Sequence, residues 1–141
     1  MSSAFFEGLM RQWCERVGVA DANAAIHDQR LPLQRGDIGL FYDSERNVIR
    51  IQHTVGRIPS AIEDATLQAI LEWNASSSEH GFGSVRSDGK VIFTRDAPMT
   101  SFDLPNKSFE VLRGMLSAME DQWVAVLDDA LMHAQLEIEN T

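Results

Sequence analysis

The side chains in this sequence best suited to chemistry are four histidines, one cysteine and a few neighbouring carboxylates, so their spacing comes first. His27, His53, His80 and His133 lie far apart, and none has a second histidine or a cysteine at the three- or four-residue spacing that puts two metal ligands on one helical face. Cys14 follows Trp13 on an amphipathic stretch, the setting of a partly buried, inert thiol rather than a nucleophile. No G-x-S-x-G elbow accompanies any serine. Gly81-Phe82-Gly83 lacks the third glycine, the Lys-Ser/Thr ending and the following helix of a phosphate loop. The pairs Asp128-Asp129 and Glu120-Asp121 are adjacent on a helix and diverge by about 100°, so they form a solvated face and not a reacting centre. The expectation is a chain without a catalytic group, metal or cofactor, whose work is binding.

Composition bounds the partner. The 141 residues suit one domain, 1–141, and 44% hydrophobic against 23% charged residues is enough apolar surface to fold. A formal charge of -9 repels phosphate backbones and anionic lipid, which argues against nucleic acid and membrane partners. One cysteine allows no internal disulfide, which fits a reducing cytosol. The opening MSSAFFEGLMRQW has no basic start followed by a continuous apolar run, and no stretch approaches the roughly 20 apolar residues of a membrane span.

The elements that must position a binding surface follow from periodicity. Phe5, Phe6, Leu9, Met10, Trp13 and Val17 recur at three and four, a first helix ending near Gly18. Residues 19–29 show no period and read as a loop, leading to a short strand at 30–34 that Pro32 confines to a sheet edge. Ile38, Leu40 and Tyr42 alternate along one strand, and Ile49, Ile51 and His53 along the next, with a polar turn at 44–47. Ser60 and Glu63 have capping-box spacing, opening a second helix to about Ala75. That helix carries Ile62, Ala65, Ala69, Ile70 and Trp73 on one face, while Leu67 and Leu71 point elsewhere; either they are simply exposed or a partner covers them. After a polar loop at 76–80, two β runs flank Asp88-Gly89, a dipeptide favoured in two-residue hairpins. Pro105 stands where a final helix would start. Phe109, Leu112, Leu116, Met119, Trp123, Val126 and Ala130 form its stripe, and residues 131–141 read as a frayed acidic tail. The order helix, three strands, helix, two strands, helix gives an α+β fold with an antiparallel twisted sheet packed with helices.

This order, with several stretches, resembles the class I chaperones of bacterial type III secretion, the Tir chaperone family. DIGLFYDSERNVIRIQHTVGRIP is similar to the family's second and third strands and the turn before its second helix. LQAILEWNA resembles the end of that helix, closed by Asn74. GFGSVRSDGKVIFTRDAPM resembles the fourth and fifth strands and their exit at Ala97-Pro98-Met99, and SFEVLRGMLSAMEDQWVAVL resembles the last helix, with Trp123 near its end. The resemblance implies a homodimer through the second helix and fourth strand, here Leu67, Ile70, Leu71 and Phe82. It also implies a bacterial cytoplasmic chaperone, without nucleotide or metal, that holds the N-terminal segment of a secreted effector extended and competent for export. Rival readings are a regulatory adaptor of the same fold that binds a transcriptional regulator, and a small-molecule-binding α+β domain or enzyme.

Partner binding is expected on the first helix and first three strands. The edge strand with Leu31 and Leu33 would leave backbone groups free for an added strand, and Phe6 and Met10 would face the same partner. Phe41 and Val48 have the parity opposite to the isoleucines. They are either the floor of a peptide pocket or core covered by the first helix.

Overall fold

The computed structural model describes residues 3–34, 36–76, 81–104 and 106–139. Its elements are α1 (Ser3–Val17), α2 (Ala22–Asp28), β1 (Arg30–Leu33), β2 (Gly36–Asp43), β3 (Val48–Arg57), a 3-10 turn (Ser60–Ile62), α3 (Glu63–Ser76), β4 (Phe82–Val85), β5 (Lys90–Pro98), a second 3-10 turn (Met99–Phe102) and α4 (Ser108–Glu139). The five strands make one antiparallel sheet in the order β1-β2-β3-β5-β4, as the α+β reading expects. Pro105 and His80 lie outside the described residues.

Helix α2 corrects the reading of residues 19–29 as a loop. Asp21 caps it by accepting from the Ala24 N–H at 3.0 Å, and Gln29 closes it in the left-handed region at φ 55°. Only Ala25 of this helix is buried, so end capping rather than an apolar stripe marks it.

The described residues form two compact units, 1–53 with 95–116 and 54–94 with 117–141; β3, β5 and α4 run through both. In the first unit, α1 buries Phe6, Leu9, Met10, Trp13 and Cys14. Phe6 stacks on Tyr42 with centroids 5.6 Å apart, and Trp13 meets Phe102 edge-on at 5.3 Å. The Trp13 indole N–H donates to Ser108 Oγ at 3.2 Å, so the buried ring carries no unsatisfied donor. Each such buried side chain contributes roughly 1.5–3 kcal/mol relative to exposure.

Strand β1 is an edge, and its hydrogen-bond phase explains the proline. The Leu40 N–H donates to the Gln29 carbonyl at 2.9 Å. Bonded pairs alternate in an antiparallel ladder, so Leu31 bonds Ile38, while Arg30 and Pro32, opposite Gly39 and Asp37, turn their backbone groups outward. Pro32 thus occupies a position where the missing N–H costs the ladder nothing. The β2–β3 turn falls at 44–47. Asp43 Oδ1 accepts from the Glu45 and Arg46 N–H groups, and Asn47 closes the turn at φ 53°.

In the second unit, Phe93 of β5 is the hub. Trp73 of α3 stacks on it at 4.7 Å and Trp123 of α4 meets it edge-on at 6.3 Å. Gly83 lies beneath the same ring: a Cβ there would stand 2.8 Å from Phe93 and 3.2 Å from Ile70. The β4–β5 connection differs from the expected two-residue turn. Arg86 N–H donates to the Lys90 carbonyl and Gly89 N–H to the Arg86 carbonyl, leaving a three-residue loop at 87–89 with Gly89 at φ 83°. Likewise the capping box is not used, because the chain enters α3 through the 3-10 turn, whose N-cap is Pro59 without a side-chain cap bond. Helix α4 continues past Met132 to Glu139. Among the described residues no helix is long and apolar enough to cross a membrane.

Candidate functional site

Tyr42 and Phe41 are neighbours on β2 and therefore face opposite sides of the sheet. Tyr42 takes the side that Phe6 covers, so Phe41 takes the other, together with its cross-strand partner Arg50 and with Asp43 and Val48. Phe41, Tyr42, Asp43, Arg46, Val48, Arg50 and Asp96 line a cleft of about 290 Å³. The Phe41 ring lies over Gly39, where a Cβ would come within 2.8 Å of it, so the absent side chain lets the ring lie down on the strand.

Charge organises the rim. Asp96 of β5 receives Arg50 through two bonds, Nε at 2.9 Å and Nη2 at 3.3 Å, and Arg46 Nη2 at 2.9 Å. The Arg50 hydrogen bond, reinforced by Arg46, holds the Asp96 carboxyl below the usual carboxylate range despite partial burial, and the same bond raises Arg50. Arg46 also lies 3.9 Å from Asp43, so two carboxylates face the two guanidinium groups. Each guanidinium keeps further N–H donors that a peptide carbonyl or carboxylate can accept. Because Asp96 is favoured as the anion, its contribution is complete above the ordinary carboxylate pKa and disappears as pH falls through the depressed value. Asp96→Asn is expected to lower stability by about 0.5–1 kcal/mol at neutral pH, the range of a solvent-screened pair, with wild type and variant converging in strong acid. Thermal melts of both proteins across pH check this; a gap that stays constant into strong acid would refute it.

The expected binding residues separate by face. Phe41 and Val48 share the outer cleft. Phe6, Met10 and Leu31 are buried, and Leu33 is half-buried on the parity of Leu31, so these four stand on the α1 side or in the interior. Arg46, Arg50 and Asp96 were not foreseen. Alternation places Arg50 beside Val48, but nothing in the spacing joins either to Asp96, 46 residues beyond Arg50.

The expected dimer residues also separate. Ile70 is buried against Gly83, Leu67 is half-buried, and Leu71 is 67% exposed on α3. Phe82 is 45% exposed, and since Gly83 faces Ile70, Phe82 turns to the other face of β4. Asn74, at the end of α3, clasps the backbone of β4: its Nδ2 donates to the Gly83 carbonyl at 2.9 Å and its Oδ1 accepts from the Gly83 N–H at 2.7 Å.

Other reactive groups do not converge among the described residues. Cys14 is buried, and desolvation pushes its thiol up, away from the thiolate that a nucleophile needs. His133 has Asp129 and Glu137 four residues to either side, yet the outer two are about 12 Å apart along the helix and cannot converge on one ion. Among the described residues no cluster of three or more His, Cys, Asp or Glu could hold a metal. A larger cavity of about 680 Å³, lined by Gln12, Trp13, Arg16, Ser108 and Phe109 among others, has its arginine engaged with protein: Arg16 pairs with Glu110 at 3.0 Å and lies 4.9 Å from the Phe109 centroid.

No family model matches this chain, and no curated protein matches it. Solved structures do. A chain of the heterodimeric complex ExoU–SpcU from the type III secretion system of Pseudomonas aeruginosa aligns at 15% identity with a TM-score of 0.48, covering 85% of this chain and 95% of that one. A chain of the ExsC–ExsE complex aligns at 15% identity with a TM-score of 0.59, covering 85% of this chain and 91% of that one. This chain therefore has the fold of a protein seen in the ExsC–ExsE complex.

Proposed function

We propose that this protein is a chaperone of bacterial type III secretion, working in the cytoplasm as a homodimer that holds the N-terminal segment of a secreted effector in extended form. The observation that carries this reading is the cleft on the outer face of β2 and β3. It combines an aromatic and a valine floor with a two-arginine rim on the side of the sheet that Phe6 does not cover. Such a surface takes an apolar side chain of an extended peptide while the guanidinium groups engage its carbonyls or carboxylates. The fold shared with a chain of the ExsC–ExsE complex supports it. The test is co-expression with the secreted protein encoded beside this gene. A soluble complex is expected, whose bound segment exchanges amide protons without the protection of a folded domain. An effector equally soluble and equally exported without this chain would refute the proposal.

The dimer is assigned to α3. Leu71 and the half-buried Leu67 supply apolar surface that a two-fold contact uses twice. Light scattering at micromolar concentration is expected to give twice the 15.8 kDa chain mass. Leu71→Glu is expected to give monomer, through the loss of roughly 1.5–3 kcal/mol per leucine and an added charge at the contact. A monomeric wild type would remove the dimer from the proposal.

A further inference from the structure

Helix α4 carries a second apolar row beside its buried one, half-buried at Leu127 and Ala134 and exposed at its other positions. Met119, Trp123, Val126 and Ala130 are buried and form the inward row. About a quarter-turn away, Val124, Leu127, Leu131, Ala134 and Ile138 follow one another at three, four, three and four residues, the spacing of a coiled-coil seam. Val124 is 55%, Leu131 53% and Ile138 75% exposed.

The charges beside this row select its occupant. From Gly114 to Glu139 there is no lysine or arginine, while Glu120, Asp121, Asp128, Asp129, Glu137 and Glu139 are acidic. In heptad terms Asp121 and Asp128 border the seam on one side and Glu137 on the other. A second copy packed antiparallel would set Asp121 and Asp128 against their own equivalents, like charge on like charge. A helix with lysine or arginine beside its apolar row meets Asp121 and Asp128 along one border and Glu137 at the distal end of the other, whose earlier positions are the buried Trp123 and Ala130.

We propose that the distal half of α4 is a docking seam for a basic amphipathic helix of another protein. The seam is separate from the cleft at Phe41 and does not depend on the effector reading. A synthetic peptide of three heptads, with leucine at the two seam positions and lysine at the bordering ones, is the probe, titrated against the full chain by calorimetry. Expected are binding by the wild type, weakening as salt rises, and about tenfold or greater loss in Leu131→Glu and in Val124→Gln. Leu131→Glu makes the helix more acidic, so its loss of binding separates seam packing from bulk attraction. Circular dichroism should show both variants folded as the wild type, and Phe41→Asp should bind the probe unchanged. Equal binding of a scrambled peptide of the same composition would overturn the proposal, as would unchanged affinity in both seam variants. So would a wild-type dimer that Leu131→Glu converts to monomer, since the seam would then belong to a second copy.

Discussion

Phe93→Ala is expected to destabilise the protein by about 3–5 kcal/mol, the cost of an aromatic ring removed from a packed interior. The ring is 1% exposed, stacks on Trp73, receives the edge of Trp123 and roofs Gly83. Alanine would leave both indoles facing a void, with Gly83 unable to fill it. Against a total stability of about 5–15 kcal/mol, the loss would leave a partly unfolded population at growth temperature. Urea unfolding followed by tryptophan fluorescence measures it, since two of the three tryptophans touch this ring. A loss under about 1 kcal/mol would mean that the cluster repacks and that Phe93 is no hub.

Phe41→Asp should have the opposite profile, a normal fold and lost binding. The half-buried ring lies on the face away from Phe6, so an aspartate there replaces no sealed core residue and gains Arg50 as a cross-strand neighbour. The melting temperature is expected to stay within a few degrees of wild type. Effector affinity is expected to fall by about thirtyfold or more, the effect of removing an aromatic anchor from the centre of a contact. Calorimetry with the effector's N-terminal segment and a thermal melt of the same sample separate the two. Unchanged affinity in a folded variant would move the binding surface elsewhere.

How much of this could be read beforehand depended on whether one segment carried the signal by itself. The common face of Ile38, Leu40 and Tyr42 with Ile49 and Ile51 was legible because alternation along each strand defines one buried face. The register, Leu40 opposite Ile51 and Tyr42 opposite Ile49, is set by the ladder itself. The edge position of β1 was legible from Pro32 alone. Helix α2 was not, since it buries a single alanine and is held by its caps. Ser60 and Glu63 had capping spacing, but the 3-10 turn after Pro59 took the place of that cap. At the cleft, the parity of Phe41 and Val48 left open which side α1 covers, a choice settled by the stacking of Phe6 on Tyr42. The arginine rim needed Asp96, which only the folding of β5 beside β3 brings near.

The clasp of Asn74 on Gly83 bears on self-assembly. A sheet grows into a filament only if every copy lends one edge and receives at the other. On β4, the Arg86–Lys90 bond sets the ladder phase, so the outward backbone groups are those of Gly83 and Val85, and Asn74 already occupies those of Gly83. On β1, Pro32 has no outward donor to offer. With both margins blunted in this way, edge-to-edge polymerisation is disfavoured at each end of the sheet.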